Sequence, residues 1–303
     1  MASLREVKDR IASVRSTLKI TSAMKLVASS KLRKAQRAIE ALRPYEATLN
    51  DILSAAGGEP PRDASEFPAI SCGDSVNGLL GAAESEHRTV ILAFASNSSM
   101  CGAFNANVVK KALEVIGECR DAVEVWAFGR KMAEGLRKGG CPAARDLSQM
   151  VTHPSFDEVA ILASELRELY ATGEISRVLL VYNHFVSAGK QEVVVEPYLI
   201  SAASSVISSE RSESRNLNES SDFIIEPSRT ELVRTLLPQI LNLKLYAALL
   251  DSVASEHAAR MIAMQAATDN GETLLGELTL EYNKGRQQKI TSEILDLVSG
   301  EAT

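Results

Sequence analysis

The feature that most constrains the fold is a C-terminal run in which apolar and small residues recur at alternating spacings of three and four. No proline interrupts this run after Pro238. As one helix it would cover about 60 residues and about 90 Å, at 1.5 Å per residue. That length exceeds what a globular domain of this size can cover, so the run predicts one strand of a coiled coil. The spaced positions are Leu243, Ala247, Leu250, Ala254, His257, Met261, Met264, Thr268, Gly271, Leu275, Leu278, Tyr282 and Gly285.

The N-terminal end has a second seam with the same spacing. Its positions are Leu4, Val7, Ile11, Val14 and Leu18. This seam loses its apolar identity at Thr21 and Lys25, although the helical pattern continues to about Arg43. Pro44 is expected to kink the helix, which resumes to about Ala56 before "GGEPPRD" ends it. The two ends are expected to pair as antiparallel helices, and the longer C-terminal helix must then have a tip that stands alone or is covered by another protein.

Residues 88–200 show a different pattern, in which β-rich apolar runs alternate with amphipathic helices. The strands are predicted at 89–96, 123–129, 177–186 and 191–200, and the helices at 105–118, 130–138 and 155–172. The last two strands are expected to form a hairpin around "SAGK". Ser155 and Glu158 have the spacing of a helix capping box. The alternation predicts a small α/β, Rossmann-like domain inserted between the two long helices.

The sequence therefore predicts an α/β chain in five parts. These are a coiled-coil helix at 1–56, a loop at 57–87, the α/β domain at 88–200, a Ser-rich linker at 201–227 and a coiled-coil helix at 228–303. Ser228 and Glu231 have capping-box spacing at the start of the last helix. Pro238 is expected to end a short helix and to start a new one, because proline is tolerated in a first turn.

Basic residues are concentrated at the N-terminal end of an acidic chain. The whole chain has a net charge of −6, whereas residues 1–43 hold 11 Lys or Arg against three acids. In "KITSAMKLVASSKLRKAQ", at 19–36, the basic residues surround much of the helix with Ala and Ser between them. Two interpretations stay open: a solvated helix face, or electrostatic contact with carboxylates of a partner.

The residues do not indicate a metal, nucleotide or membrane-spanning site. The four cysteines form no C-x-x-C pair and are expected to be reduced thiols, and the four histidines are scattered. His257 lies on the seam and is expected to pack there. The strand-to-helix turn "SNSSMCGAFN" lacks the glycine and lysine pattern of a phosphate loop. No signal peptide precedes the first charges, and no window approaches about 20 apolar residues.

Three segments resemble the gamma subunit of bacterial F-type (rotary) ATP synthases. They are "RIASVRSTLKITSAMKLVASSKLRKAQ", "SEHAARMIAMQAATDNGETLLGELTLEYNKGRQQKITSEILDLVSG" and the turn "SNSSMCGAFNANV", which is similar to the family pattern S-D-x-G-L-C-G-x-F-N. Asn97 and Ser99 stand where that pattern has Asp and Gly, and Met100 replaces Leu. The two terminal segments match the family more closely than the middle does.

The resemblance implies a rotor shaft that stands in a ring of alpha and beta subunits, with its foot on the c-ring beside the epsilon subunit. Proton-driven rotation would power ATP synthesis at beta, and the shaft would also regulate ATPase activity and proton flow. The chain itself would be no enzyme and would bind no cofactor, nucleic acid or small-molecule substrate. It would lie peripherally on the cytoplasmic face of the bacterial inner membrane.

The resemblance also assigns contact residues. Those that would contact beta are Ile20, Met24, Lys25, Arg286, Gln287, Thr291 and Glu293. Glu226, in "FIIEPS", corresponds to the foot that meets the c-ring loops. The tail "EILDLVSG" corresponds to the tip of the shaft, which an apolar sleeve formed by the ring of alpha and beta subunits would surround.

Two other classes of function stay open from the residues. A nucleic-acid adaptor could use residues 1–43, but no aromatic residue precedes Tyr45 for base stacking, and the chain is acidic overall. A small α/β enzyme could use residues 88–200, although this region has no phosphate motif and no catalytic group with a defensible spacing.

Overall fold

Two long helices from the chain ends form the axis of the molecule. The computed structural model describes residues 3–55, 88–119, 122–200 and 229–300. Helix α1 (Leu4–Ala55) has 52 residues, and the C-terminal helix (Arg229–Gly300) has 72. They pair antiparallel along their seams, with Gly271 beside Leu18 and Gly285 beside Leu4. The predicted antiparallel coiled coil is confirmed.

The seam of α1 continues past Thr21 and Lys25, where polar residues replace the apolar ones. The buried residues of α1 are Val7, Ala28, Leu32, Ala35, Ile39 and Leu49. Thr21 and Lys25 keep the same spacing of three and four and are half-buried in the seam. The helix also runs without interruption through Pro44.

The prediction that Pro238 would end one helix and start another is wrong, because a single helix passes through it. Proline removes one helical hydrogen bond and crowds the preceding turn, at a cost of about 3 kcal/mol. Leu237 and Leu241, on either side, are almost fully buried. Burial of such side chains provides about 1.5–3 kcal/mol each, so packing outweighs the proline.

The inserted domain has the predicted alternation of strands and helices. In chain order its elements are β1 (Arg88–Phe94), α2 (Phe104–Glu118), β2 (Ala122–Phe128), α3 (Arg130–Lys138), β3 (Arg145–Asp146), α4 (Ser148–Thr152), α5 (Phe156–Ala171), β4 (Arg177–Ser187) and β5 (Lys190–Ile200), and the C-terminal helix is α6. The two-residue strand β3 and the one-turn helix α4 were not predicted, because elements so short show no periodicity. The predicted β4–β5 hairpin is confirmed.

The sheet is mostly parallel and has the strand order β3-β2-β1-β4-β5. Neighbouring residues of a strand face opposite sides, so β1 divides its apolar residues between two cores. Val90, Leu92 and Phe94 join a core with α5, α6 and α1. Ile91 and Ala93 join a core with α2 and α3. The coiled coil therefore covers one face of the sheet and is part of its core.

The predicted capping box of α5 is wrong in its hydrogen bond. Ser155 is the N-cap residue, as expected, but its side chain makes no capping hydrogen bond. Asp157 and Glu158 lie in the first turn instead, where their negative charge favours the positive end of the helix dipole. Ser228, the first residue of the other predicted box, lies outside the described residues.

The division of the chain at 56, 87, 200 and 227 stays a prediction. The proposed loop at 57–87 and the Ser-rich linker lie outside the described residues, as does Cys72. No disulfide joins the three cysteines that the structure describes, Cys101, Cys119 and Cys141.

Two glycines of α6 offer a direct test of the seam. A Cβ on Gly271 would lie 2.7 Å from a methyl group of Leu18, whereas a Cβ on Gly276 would have nothing within 4 Å. Gly276→Ala should therefore raise the free energy of unfolding by about 0.5–1 kcal/mol. Gly271→Ala should show no gain, because Leu18 must move. Urea unfolding of the two variants measures this, and equal gains would contradict the seam.

Candidate functional site

The first candidate surface is the outward side of α1 around Met24. At about 100° per residue, Ile20, Leu26 and Val27 lie on the arc opposite the seam. Ile20 and Val27 are each 57% exposed, and Leu26 is 70% exposed. Met24 is half-buried between this arc and the seam. Several large apolar side chains kept in water at one level of a helix indicate a surface that another molecule covers.

A pair of hydroxyl groups meets across the seam at this level. The Oγ1 atoms of Thr21 and Thr268 are 3.0 Å apart. Each hydroxyl also hydrogen-bonds a carbonyl oxygen of its own helix, Thr21 that of Leu18 and Thr268 that of Met264. In this register, Met24 and Lys25 lie opposite the part of α6 near Gln265.

The second candidate surface is the end of α6 beyond Gly285. Every residue from 286 to 295 is exposed, because α1 begins at the level of Gly285 and offers no partner beyond it. Ile290, Ile294 and Leu295 are 48%, 54% and 63% exposed. A single helix is marginal in water, and exposed apolar side chains along it are typical of a surface that another molecule covers.

Four of the predicted contact residues lie on this lone helix. Arg286 and Gln287 are exposed. Thr291 donates its hydroxyl to the carbonyl oxygen of Gln287 at 2.9 Å. Glu293 pairs with Lys289 at 3.7 Å, with both side chains well exposed. Exposed pairs of this kind contribute only about 0–1 kcal/mol, so these polar groups are free to exchange partners.

The structure does not bring the two groups of predicted residues together. Thr21 is level with Thr268, so the Met24 group is about 20 residues, or about 30 Å, from Arg286 along α6. They are two separate contact levels on one shaft. Glu226, the predicted c-ring contact, lies outside the described residues.

The turn after β1 is stabilised by its own polar residues. The Asn97 amide nitrogen donates to the carbonyl oxygen of Ser148 at 2.7 Å, and its oxygen accepts the backbone N–H of Arg130 at 3.0 Å. An aspartate could accept the second hydrogen bond but could not donate the first. The positive φ of this turn, 69°, falls on Met100, while the next left-handed residue is Gly102. The glycine that the family pattern has at position 99 is therefore not required here.

The same turn contacts α6 through Arg260. The Arg260 guanidinium donates to Ser98 Oγ at 2.7 Å and to Glu256 Oε1 at 2.6 Å. Burial raises the pKa of the Glu256 carboxyl, and the charge of Arg260 opposes this shift. The Arg260 and Glu256 side chains are only 12% and 8% exposed, so this pair is well shielded from water.

His257 packs beside this pair, as predicted for a seam residue. Burial and the nearby charge of Arg260 lower its pKa to about 4. Its Nδ1 atom is buried and has no hydrogen-bond partner. His257 is therefore neutral at physiological pH and contributes packing.

A cavity of about 460 Å³ lies between α1, α6 and the β4–β5 hairpin. Glu46 and Asp251 line it, and burial raises the pKa of both carboxyls. Lys244 also lines it, and burial lowers the pKa of its ammonium group. Arg43 also lines the cavity, so its lining mixes acidic and basic side chains.

The described part of the chain has neither a metal-binding cluster nor a membrane-spanning helix. Nowhere in 3–55, 88–119, 122–200 or 229–300 do three or more His, Cys, Asp or Glu side chains form a group that could hold a metal ion. In the same part of the chain, no helix has the length and apolarity needed to cross a membrane.

Comparison with known proteins agrees with this architecture along almost the whole chain. A family model described as ATP synthase matches residues 3–303. A protein named ATP synthase gamma chain from Bacteroides thetaiotaomicron is 45% identical over an alignment of 308 positions that covers 99% of each chain. The protein of the same name from Bacteroides fragilis is 47% identical over 304 aligned positions, which also cover 99% of each chain. The chain belongs to the ATP synthase gamma chain family.

Solved structures show the same fold at lower identity. The rotor of the mitochondrial ATP synthase of Euglena gracilis aligns with a TM-score of 0.63 and 19% identity, covering 95% of this chain and 98% of that one. The central stalk of the Tetrahymena thermophila enzyme aligns with a TM-score of 0.54 and 22% identity, covering 82% and 99%. The gamma family fold predicted from the sequence is confirmed.

Sequence reasoning missed two sets of residues. The exposed Leu26 and Val27 could have been found, because they are large apolar residues placed off the seam. The Arg260 contact with Ser98 could not, because 162 residues separate the partners.

The pKa of His257 predicts a pH-dependent stability. The folded chain keeps this imidazole neutral down to about pH 4, whereas the unfolded chain protonates it near pH 6.5. The unfolded state therefore binds more protons between these values, and stability is lost as the pH falls from 6.5 toward 4. From pH 7 to pH 5, the wild type should lose about 2 kcal/mol more than His257→Gln.

Urea unfolding at pH 5, 6 and 7 measures this difference. His153→Gln, at an exposed histidine, is the matched control and should follow the wild type. Parallel pH curves for the wild type and His257→Gln would contradict the buried neutral imidazole.

Proposed function

We propose that this gamma family chain is the central rotor shaft that couples c-ring rotation, driven by protons, to ATP synthesis at the beta subunits. The observation that supports this most is the α6 tip, which continues from a coiled coil as a lone helix with exposed apolar residues. A sheath around such a tip, with the broader α/β domain at the other end, fits a shaft inserted into a ring. The same shaft regulates ATPase activity and proton flow by the ease with which it turns.

The two contact levels are proposed to meet the beta subunits at different heights. Ile20, Met24 and Lys25, extended by Leu26 and Val27, form the lower level. Arg286, Gln287, Thr291 and Glu293 form the upper level, and residues 294–303 form the tip in the sleeve. The exposed and weak character of these polar groups suits a surface that is contacted and released at each step.

The other partners are proposed from the family. Glu226 marks the foot that meets the c-ring, beside the epsilon subunit, and the alpha subunits complete the sheath. The chain contributes no catalytic residue of its own. It is held peripherally at the cytoplasmic face of the bacterial inner membrane through these partners.

Co-purification tests the function. A tagged copy of the chain, expressed in its own host, should recover the alpha, beta and epsilon subunits with ATPase activity. The alternative, a nucleic-acid adaptor, predicts tight and salt-sensitive binding of DNA or RNA by the chain. The apolar patch among the basic residues of α1 favours a protein partner. Recovery of nucleic acid without alpha or beta would overturn the rotor.

Adding a charge at the lower level should disturb coupling. The family resemblance implies an acidic loop of beta at this level. Met24→Lys would place another cation beside that loop, which strengthens the contact and hinders release. The ratio of proton pumping to ATP hydrolysis in vesicles should fall about twofold or more, since close charge pairs at an interface slow dissociation.

Two controls separate this effect from general ones. Met24→Leu keeps the site apolar, and Ala41→Lys adds the same charge at an exposed position lower on α1. Both should keep the wild-type ratio. Unchanged coupling in Met24→Lys would remove Met24 from the contact.

Removing residues 294–303 should leave assembly intact but weaken torque transmission. The lower level and the seam remain, so the alpha and beta subunits should still be recovered. The ratio of pumping to hydrolysis should fall, because the tip no longer centres the shaft. Removal of only 301–303 is the control, and a fully coupled 294–303 truncation would show that the tip is dispensable.

A further inference from the structure

Helix α6 is fixed to the α/β domain by a row of hydrogen bonds. Nearest the start of α6, Arg167 donates to the Pro238 carbonyl oxygen at 2.9 Å and to Asn242 at 2.8 Å, and Tyr198 donates to the Leu241 carbonyl oxygen at 3.3 Å. Further along, Lys244 donates to the Pro197 carbonyl oxygen at 2.8 Å, and His184 bonds Asp251 at 2.6 Å. Ser255 then donates to the Asn183 carbonyl oxygen at 3.1 Å. The contact of Arg260 with Ser98 completes this row. From Pro238 to Arg260 it extends about 33 Å along the helix.

Helix α1 joins the same domain in a different way. Its Leu32, Ala35 and Ile39 enter the core shared by the sheet and α6. Apolar contacts are non-directional, so they hold α1 close to the domain without fixing an angle. Hydrogen bonds require both distance and direction, so the row on α6 resists rotation of the helix against the domain.

Arg260 has the properties of a fixing point. Glu256, one turn earlier, holds the guanidinium at 2.6 Å, and the two side chains are nearly buried. The guanidinium is planar and always charged, so it needs little ordering to reach Ser98. Ser98 belongs to the turn that Asn97 ties to α3 and α4. Beyond Arg260, α6 packs against α1 as far as Gly285 and then continues as a single helix.

We propose that turning force passes between the α/β domain and the shaft through α6, and that Arg260 is the positioning residue that closes this attachment at its upper end. The proposal rests on the rotor function proposed above. Helix α1 turns together with α6 because the two helices pack along the seam. Loss of the Arg260 link would leave α6 fixed to the domain only as far as Ser255. The part of α6 beyond Ser255 could then twist against the domain, so part of each rotation would not reach the upper contact level.

The test uses assembled ATP synthase containing this chain in lipid vesicles. ATP-driven proton pumping is divided by ATP hydrolysis, at equal content of the chain in each preparation. Arg260→Met should lower this ratio at least about threefold, because it removes the link and leaves a buried carboxylate unpaired. Ser98→Ala, which removes only the hydroxyl group, should lower it less, and adding it to Arg260→Met should lower it no further.

Two variants separate positioning from stability. The pair Glu256→Gln with Arg260→Met removes both buried charges, so the thermal midpoint should recover while the link to Ser98 stays lost. The coupling ratio should then remain low. Arg260→Lys keeps a cation near Ser98 and should restore part of the ratio. Arg137→Met, at an exposed arginine of α3, is the matched control and should leave the ratio unchanged.

The outcomes distinguish this inference from the function on which it rests. A wild-type complex that hydrolyses ATP without pumping protons would overturn the rotor function itself. A wild-type complex that pumps, with an Arg260→Met ratio equal to it, would overturn the role of Arg260 alone. Recovery of the ratio together with stability in the double variant would show that Arg260 stabilises the helix and transmits nothing.

Discussion

The antiparallel seam between α1 and α6 is the contact on which the rest of the structure depends. It begins where Leu4 meets Gly285, passes through the hydroxyl pair of Thr21 and Thr268, and ends where Leu49 packs on Ile240 and Leu243. The sheet has no separate core on its shaft side, because residues of both helices complete it. Without the seam, one face of the α/β domain would therefore be uncovered.

The unequal lengths of the two helices give the molecule its functional ends. Since α1 starts at the level of Gly285, the last part of α6 has no partner within the described chain. A single exposed helix is marginal in water, and this supports the proposed sheath of partner subunits around the end of α6. At the other end, the hydrogen bonds between Pro238 and Arg260 make α6 and the α/β domain one unit, while α1 is joined by apolar packing.

Periodicity made much of this predictable. The seam positions from Met264 to Gly285 and the alternating strands of 88–200 follow directly from spacing, and spacing is a local property. The continuous helix through Pro238 was not predictable, because burial of Leu237 and Leu241 in a core formed by distant segments decides it. The contact of Ser98 with Arg260 likewise depends on how distant segments meet. The contact residues assigned by resemblance stay predictions.

A cryo-electron microscopy map of the assembled complex would show what surrounds each level of the shaft. Residues 286–300 of α6 should be enclosed by alpha and beta subunits, with Ile20, Leu26 and Val27 facing beta about 30 Å further down the shaft. The α/β domain should lie outside the ring, attached along residues 238–260 of α6. A map in which residues 286–300 lie in solvent, or in which the α/β domain occupies the ring, would contradict this arrangement.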